Sequence, residues 1–184
     1  KDNRRKKERP SLPPERMPAG LRNHDEREIM GYSRALDEIY GSDPLPEISE
    51  EYIKHLHHLL IEQTSQEAGQ YKTRNNWIQE RDDGGRLRVR FVPVSAGHIG
   101  DAMEQLLRSY YDARQDSEIS PLLLIPCFVL DFLCIHPFMD GNGRISRLLT
   151  VLLLYLSGYD IVKYISYEGQ INKYKDSYYD ALRS

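Results

Sequence analysis

Twelve residues in the second half of the chain combine the side-chain types that phosphate chemistry needs. The segment runs from His136 to Arg147 and reads His-Pro-Phe-Met-Asp-Gly-Asn-Gly-Arg-Ile-Ser-Arg. A histidine titrates near neutral pH and can act as a general base. One carboxylate, here Asp140, together with substrate phosphates is a usual protein site for Mg²⁺. The segment therefore predicts a base, a metal ligand and an anion-binding loop in one place.

The turn inside this segment has the composition of a phosphate-binding loop. Gly141 and Gly143, on either side of Asn142, let the backbone turn sharply and approach a ligand closely. The helix expected to begin there exposes free N–H groups and the positive end of its dipole. Arg144 and Arg147 lie three residues apart on one face of its first turns, where two cations are unfavourable unless an anion is bound. The pattern predicts a polyphosphate site.

Other interpretations stay open when each residue is taken alone. His136 by itself is compatible with a core histidine at a helix end, and Asp140 or Asn142 with an ordinary N-cap. Phe138 is expected to be a core anchor in every case. Two better-known phosphate loops are excluded, because the third glycine of the dinucleotide motif and the Gly-Lys-Ser/Thr of the P-loop are missing. The combination within twelve residues is what favours catalysis.

Two strongly apolar helices must hold this segment. The first is predicted for residues 121–135, after Ser120 as N-cap and with proline at its first position. It is apolar on nearly all sides, so we expect it to run through the core. Pro137 disfavours helical backbone at His136 and ends that helix. The second helix is predicted for about residues 142–156 and is equally apolar beyond its first turn.

Apolar side chains at helical spacing predict further helices around this pair. One helix is predicted for residues 23–40 and another after Ser95. A third is capped by Ser49, and its buried stripe is Ile53, Leu56, Leu59 and Leu60. A last helix follows Ser166, and one face of it carries Ile171, Tyr174, Tyr178 and Leu182. The histidines at 55, 57 and 58 are expected to be partly buried or at the surface, not metal ligands. Residues 77–78 and 87–91 flank Asp-Asp-Gly-Gly, which predicts one β-hairpin. The expected fold is mainly α with one small hairpin.

Charge is unevenly distributed over the 184 residues, whose net charge is −3. Residues 1–9 carry +4, which leaves −7 for the rest of the chain. Residues 1–20 combine this basic cluster with four prolines, so we expect a flexible lead-in before a single domain over residues 21–184. The basic cluster is short and lacks interleaved aromatic side chains, so a nucleic-acid partner is not expected.

The cysteine content and the apolar runs point to the cytoplasm and away from a membrane. Cys127 and Cys134 lie on one predicted helix, too far apart for a disulfide, and are interpreted as reduced core thiols. No Cys/His spacing matches a structural zinc site. The longest apolar runs are too short to span a bilayer as helices.

The segment 136–147 resembles the full signature of the Fic-domain family, H-x-F-x-(D/E)-G-N-G-R-x-x-R, at every defined position. The likeness extends outward: residues 68–74, Trp77-Ile78 and residues 91–93 are similar to the family's hairpin flap, and residues 178–182 to its closing helix. The resemblance implies a Fic-like helical bundle. It also implies a transfer of AMP from ATP to a Ser, Thr or Tyr hydroxyl of a target protein.

The resemblance implies a role for each matching residue. His136 would take the proton of the attacking hydroxyl, Asp140 would bind the Mg²⁺ that bridges the α- and β-phosphates, and Arg144 and Arg147 would contact the β/γ- and γ-phosphates. Gly141, Asn142 and Gly143 would line the anion hole. Lys72, Thr73 and Arg74 would belong to the flap that aligns the target segment by strand-like pairing.

Two departures from the family pattern concern docking and regulation. Lys72 stands where many members have Arg. Many members are restrained by (S/T)-x-x-x-E-(G/N), whose Glu pairs with the second motif arginine. Here Glu168 is the only Glu followed by Gly or Asn, and Tyr164 stands in place of the Ser or Thr. An unrestrained chain is therefore expected, unless an inhibitory partner supplies the glutamate.

Alternative functions stay open beside AMP transfer. A kinase or a transferase of another nucleotide such as UMP would use a similar site, and a non-catalytic helical module would only capture nucleotide. The expected partners are a target protein with a hydroxyl side chain and, in an alternative, the chain itself as its own target.

Overall fold

Apolar faces on five helices meet in one core, and that core positions the segment 136–147. The structure, a computed structural model, describes residues 24–81 and 84–182. The helices are α1 (His24–Gly41), α2 (Glu50–Ile61), α3 (Ile99–Arg114), α4 (Pro121–Ile135), α5 (Asn142–Leu156), α6 (Tyr167–Lys173) and α7 (Lys175–Ala181), and the strands are β1 (Ile78–Arg81) and β2 (Leu87–Phe91). The expected class, mainly α with one small hairpin, is confirmed.

Helix α5 is the centre of the fold. It packs against α1, α2, α4 and α6. Ile145, Leu148, Leu149 and Leu152 are completely inaccessible to solvent, so the helix that opens with Asn142 is held on several sides. A helix fixed in this way keeps its N-terminal N–H groups in one place, as an anion site requires.

Helix α4 differs from its sequence-based prediction. It was expected to run through the core, but only one face of it is buried. Leu123 and Leu130 are 64% and 43% exposed on the other face. Cys127 and Cys134 lie exposed on this outer side, so the expectation of core thiols was wrong. Hydrophobicity alone does not distinguish a helix surrounded by neighbours from one packed on a single side.

Serine caps define the starts of three helices, and the caps at Ser49 and Ser120 were expected. The side chains of Ser49, Ser120 and Ser166 accept hydrogen bonds from the backbone N–H groups of Tyr52, Leu122 and Gly169. The last predicted helix is instead two short helices, because the backbone at Tyr174 (φ −116°, ψ 34°) leaves the helical region between α6 and α7. Tyr174 is consequently 55% exposed, not part of a continuous buried face.

The β-hairpin projects from the helices. β1 pairs antiparallel with β2, and the register shifts by one residue between Ile78 and Gln79. All five residues of β2 are exposed, so its alternating pattern buries no face of its own. None of the helices in the described part of the chain combines the length and hydropathy needed to cross a membrane. The predicted lead-in, residues 1–20, lies outside the described residues.

Candidate active site

The segment 136–147 forms the loop between α4 and α5. His136 ends α4 in the left-handed region, with φ 52°, an uncommon conformation for a residue with a side chain. Gly141 has φ 80° and immediately precedes α5. A Cβ atom at Gly141 would be in ordinary van der Waals contact with the His57 ring, 3.4 Å away, so it is the positive φ of the turn that favours glycine here.

Phe138 anchors the loop in the core, as expected. It is fully buried, and its ring stacks on the ring of His57 with centroids 3.7 Å apart. His57 Nδ1 accepts a hydrogen bond from Gly69 N–H at 2.9 Å, and its Nε2 lies 3.1 Å from the Asp140 carbonyl oxygen, to which it must donate. Burial lowers the pKa of His57 to about 4, so this ring is neutral and locked in one tautomer at neutral pH.

Asn142 ties the two ends of the loop together. Its Oδ1 accepts from Phe138 N–H at 3.0 Å, and its Nδ2 donates to the Phe138 carbonyl oxygen at 2.8 Å. The same Nδ2 lies 3.1 Å from His136 Nδ1. Asn142 is 2% exposed, so its side chain is directed inward and holds the loop together.

The catalytic candidate His136 lies beside a buried lysine. Lys72 is 4% exposed, and its Nζ donates to Asn76 Oδ1 at 2.9 Å. Asn76 Nδ2 in turn lies 3.3 Å from His136 Nδ1. Burial, and next the Lys72 charge, lower the pKa of His136 to about 4. The imidazole is therefore neutral near pH 7, which is the form that a general base needs.

Both arginines of α5 are paired with carboxylates. Arg144 Nη1 lies 2.6 Å from Glu28 Oε1 on α1, and its Nη2 lies 3.1 Å from Asp140 Oδ2. Arg147 Nε donates to Glu168 Oε1 on α6 at 2.5 Å. An anion that binds here must compete with these carboxylates, because each pair neutralises a charge that would otherwise attract phosphate.

The ion pair between Glu168 and Arg147 forms although Tyr164 stands in place of the Ser or Thr of the inhibitory pattern. The reason lies in the fold, because α6 returns to the N-terminal half of α5 and is oriented by its cap, Ser166. The residue spacing of the inhibitory pattern is therefore not needed to bring a carboxylate to Arg147.

Two cavities meet at His136. A polar cavity of about 220 Å³ is lined by the loop from Met139 to Arg144, together with His136 and Arg147. A larger, more apolar cavity of about 440 Å³ extends from His136 and Gly143 along α4 to the hairpin and α7. Its apolar lining is supplied by Ile78, Phe91, Leu130, Leu133, Tyr179 and Leu182. Charge on one side of the histidine and apolar surface on the other suit a ligand with a phosphate chain and a flat ring.

Asp140 is the residue that fits a magnesium ion. Its side chain is 66% exposed at the edge of the polar cavity and contacts Arg144. The described residues hold no group of three carboxylate, histidine or cysteine side chains that could bind a metal by themselves. A single accessible carboxylate beside an anion site fits Mg²⁺, which takes most of its remaining ligands from phosphates and water.

The residues predicted to dock a target precede the hairpin and do not lie on its strands. Lys72 points inward, and its backbone N–H donates to the Pro137 carbonyl oxygen at 2.8 Å. Arg74 is 70% exposed and pairs with Glu67. Thr73 is exposed between them. The structure therefore brings Lys72 to the loop 136–147 and leaves Thr73 and Arg74 at the surface.

Three residues of the site were missed by sequence reasoning: His57, Asn76 and Glu28. His57 could have been found, because it lies four residues after Ile53 on the buried face of α2. Asn76 and Glu28 lie outside the motif and carry no local signal, since only the tertiary fold brings them to it.

Comparisons with known proteins agree with the motif and the fold. The sequence profile described as Fic/DOC family matches residues 47–154. A protein adenylyltransferase Fic from Drosophila yakuba is 36% identical over 98 residues, which are 50% of this chain and 19% of that protein.

Two solved structures show the same fold. A Fic family protein from Desulfovibrio desulfuricans G20 matches with a TM-score of 0.66 at 25% identity, over 89% of this chain and 47% of that one. A Fic-domain-containing signaling protein from Bacteroides thetaiotaomicron matches with a TM-score of 0.63 at 26% identity, over 76% and 52%. The chain spans about half of each of these two proteins and a fifth of the Drosophila protein.

Proposed function

We propose that this chain, which belongs to the Fic/DOC family, transfers AMP from ATP to a hydroxyl side chain of a target protein. The observation that carries the proposal is the position of His136 between the polar cavity and the apolar cavity. A triphosphate in the first and an adenine ring in the second would place the α-phosphate next to the histidine.

The transfer would proceed by attack of the hydroxyl oxygen on the α-phosphorus. A bond forms between that oxygen and the phosphorus, the bond from the α-phosphorus to the bridging oxygen breaks, and pyrophosphate leaves. The hydroxyl proton passes to the neutral ring of His136, whose pKa is lowered to about 4. Such reactions depend mainly on positioning and on charge stabilisation, which the loop backbone, Arg144 and Arg147 would supply.

Asp140 would hold Mg²⁺, together with the phosphates of the nucleotide. When bound, the ion would offset negative charge on the phosphate chain. Arg144 would exchange Glu28 and Asp140 for phosphate oxygens, and Arg147 would exchange Glu168. The exposed edge of the hairpin would seat an extended segment of the target by strand addition.

Labelled ATP distinguishes this function from its alternatives. The chain is incubated with a lysate of its source organism and Mg²⁺, using ATP labelled at the α- or at the γ-phosphate. AMP transfer puts only the α-label on protein, either on the chain itself or on a target that mass spectrometry then identifies.

The other outcomes identify the alternative functions. Transfer of the γ-label alone would identify a kinase. The α-label of UTP, transferred in preference to that of ATP, would identify a UMP transferase. Nucleotide binding without any transfer would identify a capture module.

A further inference from the structure

The Nδ1 atom of His136 is approached by two side-chain amides. Asn142 Nδ2 lies 3.1 Å and Asn76 Nδ2 lies 3.3 Å from it. An amide NH₂ group only donates hydrogen bonds, whereas a ring nitrogen accepts only when it carries no proton. The tautomer of His136 therefore depends on whether each amide is oriented with its nitrogen or its oxygen toward the ring.

The orientation of Asn142 is fixed by the backbone of Phe138. The N–H of Phe138 can only donate, so the atom 3.0 Å from it must be the amide oxygen of Asn142. The carbonyl oxygen of Phe138 can only accept, so the atom 2.8 Å from it must be the amide nitrogen. Both ends of the amide are pinned, and its nitrogen faces His136.

The orientation of Asn76 is fixed by Lys72. An ammonium group has three donors and no acceptor, so the atom 2.9 Å from Lys72 Nζ must be the amide oxygen of Asn76. The amide nitrogen then faces His136 Nδ1 and also lies 3.4 Å from the Phe138 carbonyl oxygen. Burial lowers the pKa of Lys72, and the hydrogen bond that its ammonium group donates to the Asn76 amide oxygen stabilises the charged form.

We propose that Asn76 is a positioning residue that, together with Asn142, keeps the proton of neutral His136 on Nε2 and its single lone pair on Nδ1. This inference rests on the proposed function for its catalytic consequence, but the tautomer can be measured without any transfer. The target hydroxyl then delivers its proton to Nδ1: the O–H bond breaks, an N–H bond forms at Nδ1, and the oxygen bonds to the α-phosphorus as pyrophosphate leaves.

The hydroxyl takes the place of Asn76 and not of Asn142. The contact of Asn76 with Nδ1 is the longer one, and its NH₂ group has the Phe138 carbonyl oxygen as a second acceptor. Asn76 also lies two residues before β1, the strand that a bound target segment would touch. A target segment bound to the hairpin would thus displace Asn76, whose amide is hydrogen-bonded to the lone pair of His136 Nδ1.

Nitrogen NMR of the histidine rings tests the proposal. Long-range ¹H–¹⁵N spectra distinguish a protonated from an unprotonated ring nitrogen, and His136→Ala assigns the His136 signals by their loss. We expect the proton on Nε2 in the nucleotide-free chain at pH 7. A proton on Nδ1, or an even mixture of tautomers, would overturn the proposal.

A matched pair of variants completes the test. Asn76→Asp places a carboxylate beside Nδ1, so we expect a proton on Nδ1 and a turnover number for AMP transfer lower by about 100-fold or more, with little change in KM for ATP. Asn75→Asp adds the same charge one residue earlier and keeps the acceptor for Ala96 N–H, so the tautomer should not change. An unchanged tautomer in Asn76→Asp, or the same change in Asn75→Asp, would contradict the assignment. If the wild-type protein transfers no AMP, the proposed function is wrong, but the measured tautomer of His136 is unaffected.

Discussion

Arg147 Nε donates to Glu168 Oε1 at 2.5 Å, and both side chains are largely shielded from solvent. The pair joins α5, which opens the anion site, to α6, which follows it in the chain. Glu168 occupies a donor of Arg147 that a γ-phosphate would also use. In the proposed function, a nucleotide and Glu168 would therefore compete for the same guanidinium group.

Glu168→Gln is expected to raise ATP affinity and AMP transfer by about tenfold, because it removes the competing charge from a partly buried pair. ADP, which lacks the γ-phosphate, should gain much less. Titration calorimetry with both nucleotides measures the difference. Glu67→Gln is the control, since Glu67 pairs with the exposed Arg74 away from the site. Equal gains for ATP and ADP would show that Glu168 does not compete with the γ-phosphate.

The pH profile of transfer should be flat from about pH 8 to pH 5 and fall toward pH 4. His136 must be neutral to accept a proton, and its pKa is lowered from 6.5 to about 4 by burial and by Lys72. Lys72→Met removes one of these causes, so the acidic limb should move toward higher pH. Lys163→Met removes a lysine that pairs with Asp160, and it should leave the limb in place. A wild-type pH profile whose acidic limb has its midpoint near pH 6.5 would contradict the pKa assigned to His136.

His57→Ala should lower the free energy of unfolding by about 3 kcal/mol, because it removes a buried ring that stacks on Phe138 and two hydrogen bonds. His57→Phe keeps the stacking surface and loses only the hydrogen bonds, so it should cost less. Urea denaturation followed by circular dichroism measures both. Equal losses would mean that the ring stacking contributes little.

Stability should also fall on acidification as His57 becomes charged. Its pKa is about 4 in the folded chain and 6.5 when unperturbed, so its contribution is fully present above pH 6.5 and is lost as the pH falls toward 4. In His57→Phe this part of the pH dependence should be absent. Urea midpoints at several pH values for the two proteins provide the comparison, and parallel curves between pH 6.5 and 4 would refute the assignment.

Gly141→Ala and Gly158→Ala should destabilise the chain by similar amounts. Both glycines have positive φ, 80° and 85°, so alanine strains the backbone by about 1 kcal/mol at either position. At Gly141 the new Cβ would make an ordinary van der Waals contact with the His57 ring, 3.4 Å away, and at Gly158 it would meet nothing within 4 Å, so neither position adds a clash. Thermal unfolding of both variants measures the losses, and a much larger loss for Gly141→Ala would show that the contact with His57 is repulsive.

Much of the fold and the chemical segment could be predicted from the sequence, because the signals are local. Ser49, Ser120 and Ser166 mark helix starts through hydrogen bonds to residues two or three positions later. Pro137 and the glycines on either side of Asn142 mark the loop for similar reasons. Phe138 was expected in the core and is fully buried.

The rest of the site depends on contacts between residues distant in the chain. Glu28 reaches Arg144, and Asn76 reaches His136, only because α1 and the segment before β1 pack beside the loop. The outer face of α4 was predicted as core because leucine and cysteine give the same signal whether or not a neighbour covers them. The sequence gives the type of each side chain, but the residue that this side chain contacts depends on the tertiary fold.

The general-base role of His136 is tested by comparing wild type with His136→Ala in α-labelled ATP transfer and in ATP binding. A general base contributes about 10²- to 10⁴-fold to rate, so transfer should fall by at least that lower factor. ATP affinity should stay within about threefold, because the phosphate contacts assigned to Arg144, Arg147 and the loop backbone remain. Near wild-type transfer by His136→Ala, at preserved ATP affinity, would contradict the assignment of His136 as general base.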